Sequence, residues 1–240
     1  MHIGSLNKKS RKLALLVDPD SVQMKQIENL FTIPGANLVD YFLVGGSLLM
    51  SEFESAILEL KKQTDKPVII FPGNAFQISE YADAFMLLSL ISGRNPEFLI
   101  GHHVMAAPQL KRIGITVVST GYILIDGGQP SSVQYMSNSM PIPAAKNDIA
   151  VATAQAGEMI GMKQLYLEAG SGASHPVPTS LISKVVQSVD LPIIVGGGIR
   201  TPEQAENAWK AGANLVVVGN AIEKDPEFIS ELITARAALG

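Results

Sequence analysis

Cysteine is absent from all 240 residues, which removes disulfides, thiolate metal sites and a thiol nucleophile together. Any chemistry must come from oxygen and nitrogen groups. Charge is scarce too: 18 Lys and Arg stand against 22 Asp and Glu, a slight negative balance that argues against nucleic acid as a partner. An anionic ligand would therefore rest on backbone amides more than on a basic patch. Apolar runs long enough to span a bilayer are missing, since the most apolar later segment, 81–92, is too short. Lys8, Lys9, Arg11 and Lys12 precede an apolar run, but Asp18 and Asp20 interrupt it too early for a signal peptide. A cytoplasmic protein with no transmembrane segment is expected. Low-complexity tracts and short repeats are absent as well.

What is present is apolar: 47% of the chain, enough for a large core, on a length close to the roughly 250 residues of one barrel. One domain over residues 1–240 is expected.

The pattern is most legible at 192–220. A short β-rich run, 192–195, breaks at Gly196, Gly197 and Gly198, where the backbone can take unusual dihedrals and approach a ligand closely. Thr201, Pro202 and Gln204 supply an N-cap, a first helical residue and the far end of a capping box. They predict a helix to about Ala211, ended by Gly212. A second pure strand, 215–218, stops at Gly219 and Asn220. Two parallel strands joined by a helix, each ending in glycine, match the phosphate site after strands 7 and 8 of a (β/α)8 barrel. The plainer alternative is that these glycines only make tight turns.

Upstream, the runs 13–17, 38–44, 67–71, 84–90, 116–125 and 164–167 fit six further strands. Helical spacing is seen in 21–30, from Phe53 to Leu60, in 95–113, where Gly101 and Pro108 can kink or split the helix, in 144–161 and in 225–239. The segment 75–81 is too short for a barrel helix, so no regular helix is expected after strand 3. Gly121 and Tyr122 suggest a bulge or a local irregularity in strand 5, and 126–143, rich in Gly, Ser, Pro and Asn, reads as a lid or binding loop. The expected fold is an α/β (β/α)8 TIM barrel.

Polar residues at strand C-termini converge on one rim of such a barrel. Those available are Asp18, Ser47, Arg94, Glu168, Ser171, the glycine triplet and Asn220. Asp18 and Ser47, on adjacent strands, suit a hard cation such as magnesium, which takes few protein oxygens and keeps places for water and phosphate. The alternative is that Asp18 and Asp20 cap the first helix around Pro19. Glu168, between an apolar strand and a glycine loop, has the setting of a partly desolvated general base, or of a structural hydrogen-bond anchor. His102 and His103 fall away from a strand end and read as structural or surface residues, His175 stands near the Glu168 loop, and Trp209 reads as packing.

YLEAGSG at 166–172, GGGIRTPEQA at 196–205, VVVGN at 216–220, LLVDPD at 15–20 and FLVGGS at 42–47 together resemble the geranylgeranylglyceryl phosphate synthases and the related bacterial heptaprenylglyceryl phosphate synthases. FPGN at 71–74 and NPEFLIGHHVMAAP at 95–108 are similar to the larger-chain group of that family. The resemblance runs from Leu13 to about Pro226. It implies a prenyltransferase in which Asp18 and Ser47 bind Mg2+, which holds the diphosphate of a prenyl donor, geranylgeranyl diphosphate foremost. It implies that Tyr166, Leu167, Glu168, Ala169, Gly170, Ser171, Gly172, Gly197, Gly198, Gly219 and Asn220 bind sn-glycerol 1-phosphate. Glu168 would take the proton of the C3 hydroxyl, which attacks C1 of the donor and releases diphosphate. A homo-oligomer is implied as well.

Many members of that family carry a lysine after the DPD motif, where this chain has Ser21, so that diphosphate contact is absent or replaced, with Arg94 or Lys25 as candidates. The apolar tail needs a groove, and 75–81 and 98–105 are its candidate walls. Two other readings share only the phosphate loops. One is an isomerase or lyase of a phosphorylated metabolite, with Asp18 as the second acid or base; the other is a non-catalytic phosphate-ligand binding barrel.

Overall fold

Eight parallel strands close into a barrel in chain order in the computed structural model, which describes residues 6, 10–22, 24–50 and 53–240. They are β1 (Lys12–Val17), β2 (Tyr41–Val44), β3 (Val68–Ile70), β4 (Ala84–Leu90), β5 (Thr116–Leu124), β6 (Gln164–Glu168), β7 (Ile193–Gly196) and β8 (Leu215–Val218), with β8 pairing back onto β1. Lys8 and Lys9 lie outside the described residues.

Strand side chains alternate between two sides, and both sides are apolar, which is why the strands read as unbroken hydrophobic runs. Ala14, Tyr41, Leu43, Ile69, Met86, Ile194 and Leu215 pack with one another inside the barrel, joined by Leu6. Their neighbours Leu15, Phe42, Val44, Phe85, Leu167, Val195 and Val216 face outward and pack against the helices. Those helices are α1 (Met24–Leu30), α2 (Phe53–Gln63), α3 (His102–Ile113), α4 (Ser132–Ser137), α5 (Asn147–Met159), α6 (Thr179–Ser188), α7 (Pro202–Lys210), α8 (Asn220–Lys224) and α9 (Phe228–Ala237). Trp209 of α7 is buried and its Nε1 donates to the Lys12 carbonyl at 3.0 Å, so it locks the helix layer onto β1 as packing. Among the described residues, no helix is long and apolar enough to cross a membrane.

The expected capping box opens α7: Thr201 accepts from the Gln204 N–H, and the Gln204 side chain reaches back to the N-cap backbone. The 95–113 segment is split as Gly101 suggests, into a π-helical turn, Glu97–Gly101, and α3. No helix forms between β3 and β4.

Three expectations need correction. Strand 2 starts at Tyr41, not at 38, because Ala36–Leu38 forms a 3-10 turn and Leu38 is exposed. Asp40 then fixes the strand start by accepting from the Leu13 N–H at 3.0 Å and Lys12 Nζ at 2.7 Å. Strand 5 has no bulge: Gly121 pairs in unbroken register with Ser89 and Leu165. A Cβ at Gly121 would lie 2.7 Å from Leu165 Cδ2 and 2.9 Å from Ile91 Cδ1, so this glycine marks close packing and not a kink. The 126–143 loop is not structureless, since it holds α4, capped by Ser131 Oγ, and Ile142 donates to the Leu124 carbonyl.

Candidate active site

The C-terminal ends of the strands open into one cavity of about 660 Å3. Asp18 and Ser47 line it from β1 and β2, Tyr166, Glu168, Ser171 and Gly172 from β6, Gly197 and Gly198 from β7, and Gly219 and Asn220 from β8. The β3–β5 side is apolar, with Phe71, Phe85, Leu87, Leu88, Leu90 and Tyr122, and α3 and α4 add Ala106 and Val133.

Glu168 is the last residue of β6 and is buried. Its Oε1 accepts from the Gly170 N–H at 2.7 Å, and the Tyr166 hydroxyl donates to the same carboxylate. Burial outweighs both bonds and pushes its pKa up from the ordinary 4.5 to about 7. Tyr166 is held by stacking on Tyr122, with centroids 5.4 Å apart, and by a tilted contact with Phe71 at 5.2 Å. Burial, with the Glu168 charge adding to it, raises both tyrosine pKa values well above the usual range. Gly197 completes the carboxylate's setting: a Cβ there would lie 2.2 Å from Glu168 Oε1, and its φ of +80° belongs to glycine.

The loops after β6 and β7 form a cradle of backbone donors. A turn after β6 is closed by Ala173 N–H to the Gly170 carbonyl at 3.2 Å. Among the described residues the N–H groups of Ser171, Gly172, Gly197 and Gly198 donate to no other group. Ser171 Oγ donates to Asn220 Oδ1 at 3.1 Å, joining the β6 and β8 loops. Such converging N–H groups suit a phosphate.

Asp18 is half-buried. Its Oδ1 accepts from the Asp20 N–H at 3.0 Å and its carbonyl from the Ser21 and Val22 N–H groups, a turn that comes before α1 starts at Met24. Its Oδ2 faces Gly46, where a Cβ would approach to 2.8 Å. The Asp20 carboxylate instead accepts from the Met50 N–H at 2.8 and 3.1 Å. Burial raises the Asp18 pKa, the Asp20 N–H opposes this and the Asp20 charge adds to it.

Several expected site residues lie elsewhere. Leu167 packs outward against the helices, and Ala169 and Gly170 are not among the residues that line the cavity. Arg94 donates to the Gly93 carbonyl at 2.7 Å, and neither it nor Lys25 is among the described residues that line the cavity. His175 is also outside it, against Gly128. His102 and His103, expected away from the site, line the groove: His102 packs on Phe98 at 4.6 Å, and His103 Nε2 bonds the Leu88 carbonyl at 2.8 Å, which holds the α3 start to β4. Of 75–81 only Ala75 lines the cavity, and Phe76 is exposed.

Two charged cavity residues escaped the sequence reading. Glu223, on α8, has its pKa raised by burial and by the Asp18 charge. Among the described residues that line the cavity, Arg200 is the one Lys or Arg, against three carboxylates, Asp18, Glu168 and Glu223. The sequence signals available were an arginine two residues past the glycine triplet and a glutamate three past Asn220.

The sequence profile of the PcrB family matches residues 7–236. A geranylgeranylglyceryl phosphate synthase of Chitinophaga pinensis is 51% identical over 226 residues, covering 94% of this chain and 90% of that protein. One from Thermococcus kodakarensis is 43% identical over 212 residues, covering 88% and 83%. Among solved structures, (S)-3-O-geranylgeranylglyceryl phosphate synthase from Thermoplasma acidophilum in complex with sn-glycerol 1-phosphate superposes with a TM-score of 0.91 at 31% identity, covering 98% of each chain.

Proposed function

The chain belongs to the PcrB family, and we infer that it is a prenyltransferase joining the C3 hydroxyl of sn-glycerol 1-phosphate to a long-chain prenyl diphosphate, geranylgeranyl diphosphate foremost. The observation that carries this reading is one cavity in which a buried carboxylate with a pKa of about 7 sits between a cradle of free N–H groups and an apolar groove. An isomerase, lyase or simple phosphate sensor has no use for that groove.

In this reading Ser171, Gly172, Gly197, Gly198, Gly219 and Asn220 hold the phosphate of the acceptor, and Tyr166 and Glu168 meet its glycerol end. Glu168 removes the C3 hydroxyl proton, the oxygen forms a bond to C1 of the donor, and the C1–O bond to diphosphate breaks, its electron pair leaving with diphosphate. Tyr166 and the Gly170 N–H keep the carboxylate aimed throughout.

The donor set fits magnesium. Among the described residues three carboxylates and one guanidinium line a cavity that would receive two anionic substrates, a balance that a further positive charge would offset. Asp18 and Ser47 offer few, hard oxygen donors, the number magnesium takes while keeping substrate phosphate and water; among the described residues no group of three His, Cys, Asp or Glu competes for it. Asp18 and Ser47 would hold Mg2+, which when bound neutralises charge on the departing diphosphate. The proposal also includes a single-domain, cytoplasmic chain working as a homo-oligomer, a state that light scattering tests.

The test is product formation from labelled sn-glycerol 1-phosphate with a ladder of prenyl diphosphates, with and without magnesium. The expected result is magnesium-dependent ether product that falls by orders of magnitude in Glu168→Gln. Folded protein that binds the acceptor yet makes no product with any donor refutes the reading.

A further inference from the structure

The β6 cradle is built from residues that resist being held. Gly170 and Gly172 both have positive φ, at 101° and 77°, and the turn between them is closed by a single bond from Ala173. A glycine-rich turn of this kind loses more conformational freedom on ordering than any other, so its N–H groups need an external tie to stay aimed.

Arg200 supplies one. Its Nη2 donates to the Ala173 carbonyl at 2.6 Å and the Gly172 carbonyl at 3.2 Å. The root of the side chain is fixed in turn, because the Arg200 N–H donates to Gln204 Oε1 at 2.7 Å, the same side chain that closes the α7 capping box. Arg200 thus spans from the β7 loop to the β6 loop, as the Ser171–Asn220 bond spans from β6 to β8. Among the described residues it is also the only Lys or Arg on a cavity wall that carries Asp18, Glu168 and Glu223.

We infer that Arg200 is a positioning residue for the phosphate of the acceptor: it pins the Gly172 and Ala173 carbonyls so that the Ser171 and Gly172 N–H groups face the cavity already ordered, and it sets a positive charge beside them. This rests on the functional reading above. The consequence is specific to one substrate, since the donor's apolar groove lies on the β3–β5 side.

Calorimetric titration of sn-glycerol 1-phosphate into wild type, Arg200→Gln and Arg200→Lys tests it, beside steady-state kinetics for both substrates and thermal melting. A charge-assisted pair of bonds predicts a rise of about 10- to 100-fold in Kd and KM for sn-glycerol 1-phosphate in Arg200→Gln. kcat and the KM for the prenyl diphosphate stay within about threefold, because the base and the groove are untouched. Arg200→Lys, keeping the charge but not the planar fork, recovers only part of the loss. Wild-type affinity in Arg200→Gln, or a fall in kcat with affinity unchanged, overturns the inference alone. Wild-type protein that binds no sn-glycerol 1-phosphate overturns the functional reading with it.

Discussion

Replacing Glu168 by Gln separates what the carboxylate does for the reaction from what it does to the fold. The amide is nearly isosteric, so its oxygen can still accept from the Gly170 N–H and its nitrogen can donate to the Tyr166 hydroxyl. What disappears is a charge without a cationic partner in its immediate bonds. The native pKa is about 7 against an ordinary 4.5, so native protein binds one more proton than unfolded protein between those values. Any stability linked to this group is therefore fully present below the unfolded pKa and is lost as pH rises through the folded one. The rise corresponds to about 3 kcal/mol, so Glu168→Gln should match wild type near pH 4.5 and exceed it by roughly that amount above about pH 8. Urea unfolding of both proteins from about pH 5 to about pH 8.5 measures the difference. Turnover should move the other way: wild-type kcat/KM rises about tenfold per pH unit up to about 7 and then levels, while the variant is lower by about 100-fold or more and flat in pH. Equal stability at every pH, or a wild-type activity plateau continuing down to about pH 5, would refute a desolvated base.

Asp18→Asn should raise the magnesium needed for half-maximal rate by about tenfold or more, read from a metal titration of turnover. Gly197→Ala forces a Cβ to 2.2 Å from Glu168 Oε1 at a φ of +80°; a loss of about 1–2 kcal/mol by melting and about 100-fold in kcat are expected. Val133→Trp adds bulk to the groove wall and should shorten the longest donor accepted in a chain-length ladder while leaving the KM for sn-glycerol 1-phosphate unchanged.

The barrel was legible because parallel strands covered on both faces leave continuous apolar runs, and because the glycines that end β7 and β8 are where those runs stop. The α7 capping box is local chemistry and could be read from three residues. Less visible were features decided by contacts distant in sequence. Leu38 is apolar and adjoins a strand, yet Asp40 starts the pairing by binding Lys12 and Leu13. Gly121 looks like a kink until Leu165 and Ile91 are seen to crowd it. The helix inside 126–143 is a short SVQYMS segment, too brief to show a period. In the site, Asp18, Ser47 and Glu168 could be listed from strand ends, and the structure does bring them to one cavity. The candidate wall 98–105 contributes Phe98, His102 and His103, but the β4 and β5 part of the groove could not be listed, because Phe85 and Tyr122 have the same local pattern as core residues and periodicity does not say how far up a barrel is filled. Arg200 acts through carbonyls 27 and 28 residues away, which no local pattern reports.

The missing helix after β3 changes what the molecule's interior is made of. Phe85 and Leu87 point outward from β4, toward a layer that a helix would normally occupy, yet both line the cavity. The cavity therefore spills over the barrel rim and down its outer flank, meeting Leu88 and Leu90 from the inner face on the way. An apolar chain lying there would take the place of a secondary-structure element, completing a layer the polypeptide leaves unfinished. The architecture gains an apolar surface by subtraction, and a ligand bound there would become a temporary part of the core.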